Sequence, residues 1–325
     1  MYVQTLVSQE QFRELSKQVQ TALSQQKGAG YRFELLAFFL RLGIYFVGMA
    51  LFSLGGWFFH GLGLVVASFG FYAVAISGTH QTRHGCFQAS DRSNRAWAYF
   101  FSDFWSGQSN VWWHHRHTLV HHTQTNIPCK EPSLFYYPWI KPVVYFFIAP
   151  FFVNAWLFVN SVKFLSKQPR RLFIYLIVQA LGWAFHVFAF ALFVSLPWAI
   201  LYTIVTRALF APLFMHIAVF NHIGLPELDR KPAWIAHQSI TTRNLKPHVL
   251  LSLFGGNAFI ECHIEHHLFP NVSNHLLGKI HPIVRSFLKE HGYTYTEEGY
   301  LSCLKECLKS YHQIFQRNPI HVIEL

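Results

Sequence analysis

The chain has 325 residues, of which 52% are hydrophobic and only 13% charged, and its formal net charge is +11. A charged share of about half the ~25% usual in soluble domains excludes an ordinary water-soluble globule and points to a membrane protein. No compact basic motif accompanies the positive excess, which makes nucleic-acid binding a poor alternative and fits loops on the inner side of a bilayer.

Taken in order, the chain opens with a polar, helix-prone stretch over residues 8–27. It has no apolar core and is not a signal peptide, so residues 1–34 are expected to form a cytosolic amphipathic helix. A spanning helix needs about 20 mostly apolar residues. Spans are expected at about 35–59 and 62–79, joined by the short HGLG connector, and at about 172–194 and 197–220, joined by Ser195 and Leu196. Arg41 can snorkel to the interface. Arg207 falls inside the fourth span, where bonding to loop carbonyls outweighs a catalytic role.

Both tight connectors lack Lys and Arg, while the other loops are basic, from Arg83 and Arg92 to Arg243 and Lys246. That asymmetry places both termini and all long loops in the cytosol. Residues 142–165 are apolar enough for a fifth span, but Pro142 and Pro150 interrupt them. A fifth crossing would also separate clusters of histidines that otherwise share one face. This segment is expected to lie in the interface, or to dip in and return. The fold class is therefore all-α integral membrane: two transmembrane hairpins in a domain over residues 35–274, and a cytosolic helical cap completed by residues 275–325. The five cysteines, Cys86, Cys129, Cys262, Cys303 and Cys307, have spacings unlike zinc motifs and read as free thiols.

Histidines carry the chemistry. His80 and His84 are one helical turn apart. Residues 117–122 read HTLVHH; on an α-helix His117 and His121 share a face, and His122 points to one side, toward a second ion. His222 ends the fourth span. His263, His266 and His267 fall at i, i+3 and i+4, on one helical face. A solvated surface cluster is the plain alternative for any one group. Four segments at one membrane face weigh against it. His60, His186 and His216 read as structural, and His114 and His115 rank below His117 because only His117 completes the HxxxHH spacing. Nine imidazoles exceed the needs of one ion, so two ions with four or five ligands each fit better. Neutral nitrogen ligands suit iron among other metals, and such a centre beside acyl chains suggests oxidation of unactivated C–H bonds.

HQTRH, HTLVHH and HIEHHLFPNV together resemble the three histidine boxes of membrane fatty acid desaturases. NHIGLP at 221–226, TTRNL at 241–245 and the tail over 274–312 look like segments of bacterial members. The resemblance implies a non-haem diiron centre, O2, and two electrons from an outside donor, used to leave a double bond in an acyl chain. Its ligands would be His80, His84, His117, His121, His122, His222, His263, His266 and His267. It further implies a fatty acyl substrate on a lipid, CoA or carrier protein, and a bacterial inner membrane. No cytochrome b5-like segment precedes the first span, so a separate ferredoxin- or cytochrome-type donor is expected. His263 and the HxxxHH spacing depart from many front-end desaturases. Ala218 stands where stearoyl-CoA desaturases carry an Asn; Asn221 and Asn257 are the candidates to replace it.

Glu265, inside the last box, is the first candidate for a carboxylate that orients a ligand imidazole, with Glu261, Asp103 and Glu131 also near boxes. Trp112 and Trp113 either wall the substrate path or anchor the interface. Hydroxylases, acetylenases and carotenoid ketolases share the scaffold. A metal transporter would place its ligands near the bilayer midplane, whereas these boxes lie beyond the span ends.

Overall fold

The computed structural model describes residues 2–24, 26–128, 130–131 and 140–317; Cys129 lies outside the described residues. Among the described residues four helices are long and apolar enough to cross a membrane: Gly30–Leu54, Gly56–Arg83, Pro169–Ala191 and Leu196–Val219. They pair as two antiparallel hairpins, and large apolar side chains such as Leu36, Phe39, Leu181 and Phe188 point outward, as a lipid solvent requires.

The first turn lies about five residues earlier than the sequence suggests. Gly55 and Gly56 turn the chain with φ of 70° and 77°, a conformation open to glycine. The HGLG stretch is helical instead, at the start of Gly56–Arg83. The His60 ring in that stretch lies 3.1 Å from the Tyr202 hydroxyl within the bundle. Gly70 lets the two helices touch: a Cβ there would come within 2.4 Å of the Tyr45 backbone nitrogen.

The fourth span breaks at Phe210 into Leu196–Leu209 and Ala211–Val219. Arg207 lies just before the break. Its guanidinium donates to the carbonyls of Trp105 (3.1 Å) and Ser106 (3.2 Å) and sits over Trp183. Residues 142–165 fold as three short pieces, Pro142–Phe147, Ala149–Phe152 and Val153–Leu165, with prolines at the starts of the first two. None is long enough to span.

Between the hairpins the chain forms two π-helical segments, Tyr99–Ser106 and His114–His121. Asp103 is buried in the first, where its Oδ2 accepts from the Asn110 backbone N–H (3.1 Å) and side-chain amide (2.6 Å). Burial outweighs those bonds and pushes its carboxyl up to about 7. The folded state therefore binds a proton that the unfolded chain has released. The resulting stability is complete below the unfolded value of about 4 and is lost as pH rises through 7. Asp103→Asn is expected to remove that loss. Melting curves in detergent between pH 5 and 8 should show the variant more stable than wild type at pH 8, with the gap closing toward pH 5.

On the site's side of the bundle lies a second apolar core. Leu15, Val19 and Leu23 of the helix Tyr2–Leu23 pack with Ile235, Ile264, Leu277, Ile280 and Val284. The helix Asn274–Glu290 supplies the last three of these. A two-residue parallel ladder, Asn244 with Glu297 and Leu245 with Glu298, joins the segment before the last box to the tail. Cys303 and Cys307 of the final helix Tyr300–Arg317 are buried as packing residues.

Candidate metal centre

The eight box histidines and His222 are all buried, and they converge in two groups. His80, His84, His117, His122 and His266 form one; His121, His222, His263 and His267 form the other. Ligand atoms within each group lie within 4.8 Å of one another. The sequence pairing of His117 with His121 is corrected here. The segment His114–His121 is a π-helix, and the His122 N–H bonds to the His117 carbonyl. An i→i+5 turn brings residue i+5 back over residue i. His122 therefore joins His117, and His121 goes to the second group.

Each imidazole of the four-histidine group has its Nδ1 held from behind. His121 Nδ1 donates to Glu131 Oε2 (2.8 Å), His222 to the Thr241 carbonyl (3.0 Å), His263 to the Ala258 carbonyl (2.7 Å) and His267 to Gln238 Oε1 (2.8 Å). A ring that donates from Nδ1 keeps a bare lone pair on Nε2. The consequence is sharpest at His222 and His263, whose Nε2 atoms lie 2.8 Å apart with no proton between them. Among the described residues His267 Nε2 is buried without a hydrogen-bond partner, as are His80 Nε2 and both nitrogens of His84. In the five-histidine group His122 Nε2 stands 3.3 Å from His117 Nε2 and 3.2 Å from His266 Nε2. Converging lone pairs in a dry site repel one another unless a cation sits among them. The donor set fits metal ions.

Protonation does not relieve this crowding. Burial, reinforced by neighbouring imidazoles, holds His84, His117, His122, His222, His266 and His267 well below the usual histidine range. Burial takes His263 down to about 3. These rings are neutral at pH 7, the state in which imidazole binds a metal.

The supports come from positions that box spacing does not reveal. Gln238 bridges two boxes, accepting from His267 and donating to the His122 carbonyl (2.9 Å). Fully buried Arg243 donates to the Phe220 carbonyl (2.6 Å) and to the Ile223 carbonyl and Glu306, so it brackets the turn that carries His222. Asn126 donates to the His222 carbonyl (3.1 Å).

Glu265 does not take the role expected of it. Its carboxylate accepts from Tyr295 (2.7 Å) and Asn244 (3.0 Å), and it bonds none of the nine imidazoles among the described residues. On the helix His263–Leu268 it points away from His263 and His267. Glu131 is the carboxylate that orients a box ring. Glu131→Gln keeps an acceptor for His121 but removes the charge. Metal affinity at the four-histidine group is expected to fall about 10–100-fold, read as early loss of metal during titration with a chelator; wild-type retention would contradict it.

An apolar cavity of about 400 Å³ ends at these rings. Tyr145, Val153, Leu157, Phe214 and Ala218 line it, and His117, His121, His222 and His263 close one side. A smaller void of about 30 Å³ shares the walls Val153, Leu157 and Phe214 and reaches His80 and Tyr72. Trp113 lines both and stacks on His117 at 4.8 Å, so it is a cavity wall. Asn221 is occupied elsewhere, donating to the carbonyls of Ile217 and Phe259.

Four apolar spans, two buried histidine groups fit for metal and an apolar cavity lined by rings of both define a membrane-embedded enzyme acting on a long apolar substrate. Residues 55–299 match the fatty acid desaturase family, and the chain belongs to it. It is an oxidoreductase, a fatty acid desaturase. Similar proteins include Fatty acid desaturase 6 of Homo sapiens, 29% identical over 264 residues, covering 79% of this chain and 74% of that one. Fatty acid desaturase 3 of Homo sapiens is 26% identical over 287 residues (77% and 62% of the two chains). Delta(5) fatty acid desaturase fat-4 of Caenorhabditis elegans is 26% identical over 240 residues (63% and 53%).

Proposed function

We propose that the nine histidines hold two iron ions, five rings at one and four at the other, and that the enzyme desaturates a fatty acyl chain with O2 and two electrons from a separate donor protein. The irons, when bound, would supply the oxidising power for removing two hydrogens from adjacent acyl carbons, which side chains cannot do. The observation that carries this reading is the pair of facing Nε2 lone pairs on His222 and His263 at the end of an apolar cavity.

The protein's own part is to hold and exclude. Val153, Leu157 and Phe214 strip water from the chain, worth about 0.8 kcal/mol per buried methylene. Ala218, one turn before His222, is small enough to let the chain pass the rings. Arg116 lines the cavity with its guanidinium 5.0 Å from the centre of the Trp156 ring, and offers a charge to a phosphate-bearing head group on lipid, CoA or carrier protein. Glu265 acts through Asn244, whose Oδ1 accepts from the Ile264 N–H (2.8 Å), and so positions the last box from behind.

The basic loops support cytosolic termini and a cytosolic cap built from residues 1–34 and 275–325 around the membrane domain of 35–274. The relatives named above are animal proteins and lend a bacterial inner membrane nothing. Expression in a host without desaturases, followed by mass spectrometry of total fatty acids, tests the activity. New monounsaturated or further unsaturated chains are expected; hydroxylated chains in their place would reassign the reaction.

A further inference from the structure

The nine histidines do not exhaust the metal-binding side chains of the cap. Cys262, Glu265 and His281 also converge, with one ligand atom of each inside a common 4.8 Å. Cys262 caps the box helix His263–Leu268, and Glu265 follows at i+3. At about 100° per residue Glu265 lies at least 100° around the helix from each of the three box histidines. His281 comes from the neighbouring helix Asn274–Glu290.

We propose that these three side chains form a third divalent-cation site, of the zinc class, separate from the histidine pair. His281 Nδ1 lies 3.3 Å from Glu265 Oε1 and 4.0 Å from Cys262 Sγ. Ligands of a tetrahedral zinc, with bonds of about 2.0–2.3 Å, stand about 3.3–3.7 Å apart. The nitrogen–oxygen edge already fits, the nitrogen–sulfur edge is a few tenths of an ångström too long, and the sulfur–oxygen edge lies within 4.8 Å. His281 also has a carboxylate behind it: Nε2 is 3.8 Å from Glu297, which pairs with Arg285 at 3.0 Å. At 3.8 Å the contact with Glu297 is an ion pair longer than a hydrogen bond; a shorter one would orient the ring as at metal-bound histidines.

The fourth position has an oxygen at hand. The Tyr295 hydroxyl lies 2.7 Å from Glu265 Oε1 and 3.2 Å from His281 Nδ1. Glu265 Oε2 stays with Asn244, so binding does not disturb the support of the last box. Cys262 and Glu265 are buried, whereas the His281 side chain is 24% exposed and gives the ion a way in. Binding converts the Cys262 thiol to a thiolate and releases its proton to solvent. The ion would clip the box helix to the helix Asn274–Glu290, beside the ladder at Glu297.

Cobalt(II) added to the purified full-length protein tests this directly. Thiolate bound to cobalt gives a near-ultraviolet charge-transfer band, which imidazole ligands do not give. The expected result is such a band, saturating at one equivalent, in wild type and not in Cys262→Ser or His281→Gln. Total metal should fall by one per chain in either variant, leaving the histidine pair filled. A wild-type protein without the band, or Cys262→Ser with the band intact, overturns the third site and leaves these residues as a hydrogen-bond network. Should Cys262→Ser fail to fold, His281→Gln keeps the thiol and decides the same question. Metal in the histidine pair is counted separately, so failure here leaves the desaturase reading standing.

Discussion

His222→Ala is expected to abolish desaturation and to lower the metal held by the nine histidines from about two ions per chain to about one. His222 is buried at the end of the fourth span, 41 residues before His263, and only the folded bundle brings them together. Its Nδ1 is spent on the Thr241 carbonyl, so its Nε2 is free to face the other three rings of its group. Removing it leaves three ligands and a void on the side that faces the acyl cavity. The five-histidine group shares no ring with this one and should keep its ion. Elemental analysis beside a product assay reads both effects. Full metal with normal turnover would mean that the three boxes alone build the centre.

Ala218→Phe should give the complementary phenotype, with metal retained and product lost. Ala218 lines the cavity one helical turn before His222 but touches the chemistry only by leaving room. A phenyl ring there displaces several methylenes of a bound chain. Losing the burial of just two costs about 1.6 kcal/mol, more than tenfold in affinity. Ala218→Ser adds one atom and should stay active. Gas chromatography of cellular fatty acids distinguishes them; undiminished product from Ala218→Phe would show that the acyl chain takes another route.

Much of this architecture was legible in the sequence because lipid imposes simple rules. Four apolar stretches longer than a bilayer core gave four spans, and Pro142 and Pro150 marked the interrupted segment between the hairpins. Hydropathy is blunt about ends, however. Phe52 and Leu54 before the turn are apolar, as are Trp57, Phe58 and Phe59 after it, so nothing but Gly55 and Gly56 could have located it. The nine histidines were legible by spacing, but their division was not. A π-helix leaves no period in a six-residue motif, and it is what sends His121 and His122 to different groups. The supporting residues were harder still. Gln238 and Arg243 act across twenty or more residues on the rings and turns they hold, and a lone Gln or loop Arg carries no spacing signal. Glu265 had the attractive position, but helix phase turns it away from His263 and His267.

Metal counting is the most direct test of the centre. Full-length protein carrying Cys262→Ser, made in iron-rich medium and gently purified, should contain about two transition-metal ions per chain, set by the five- and four-histidine groups. Zinc in place of iron would leave that count unchanged. A count near one would contradict a two-ion centre, whatever the activity of the preparation.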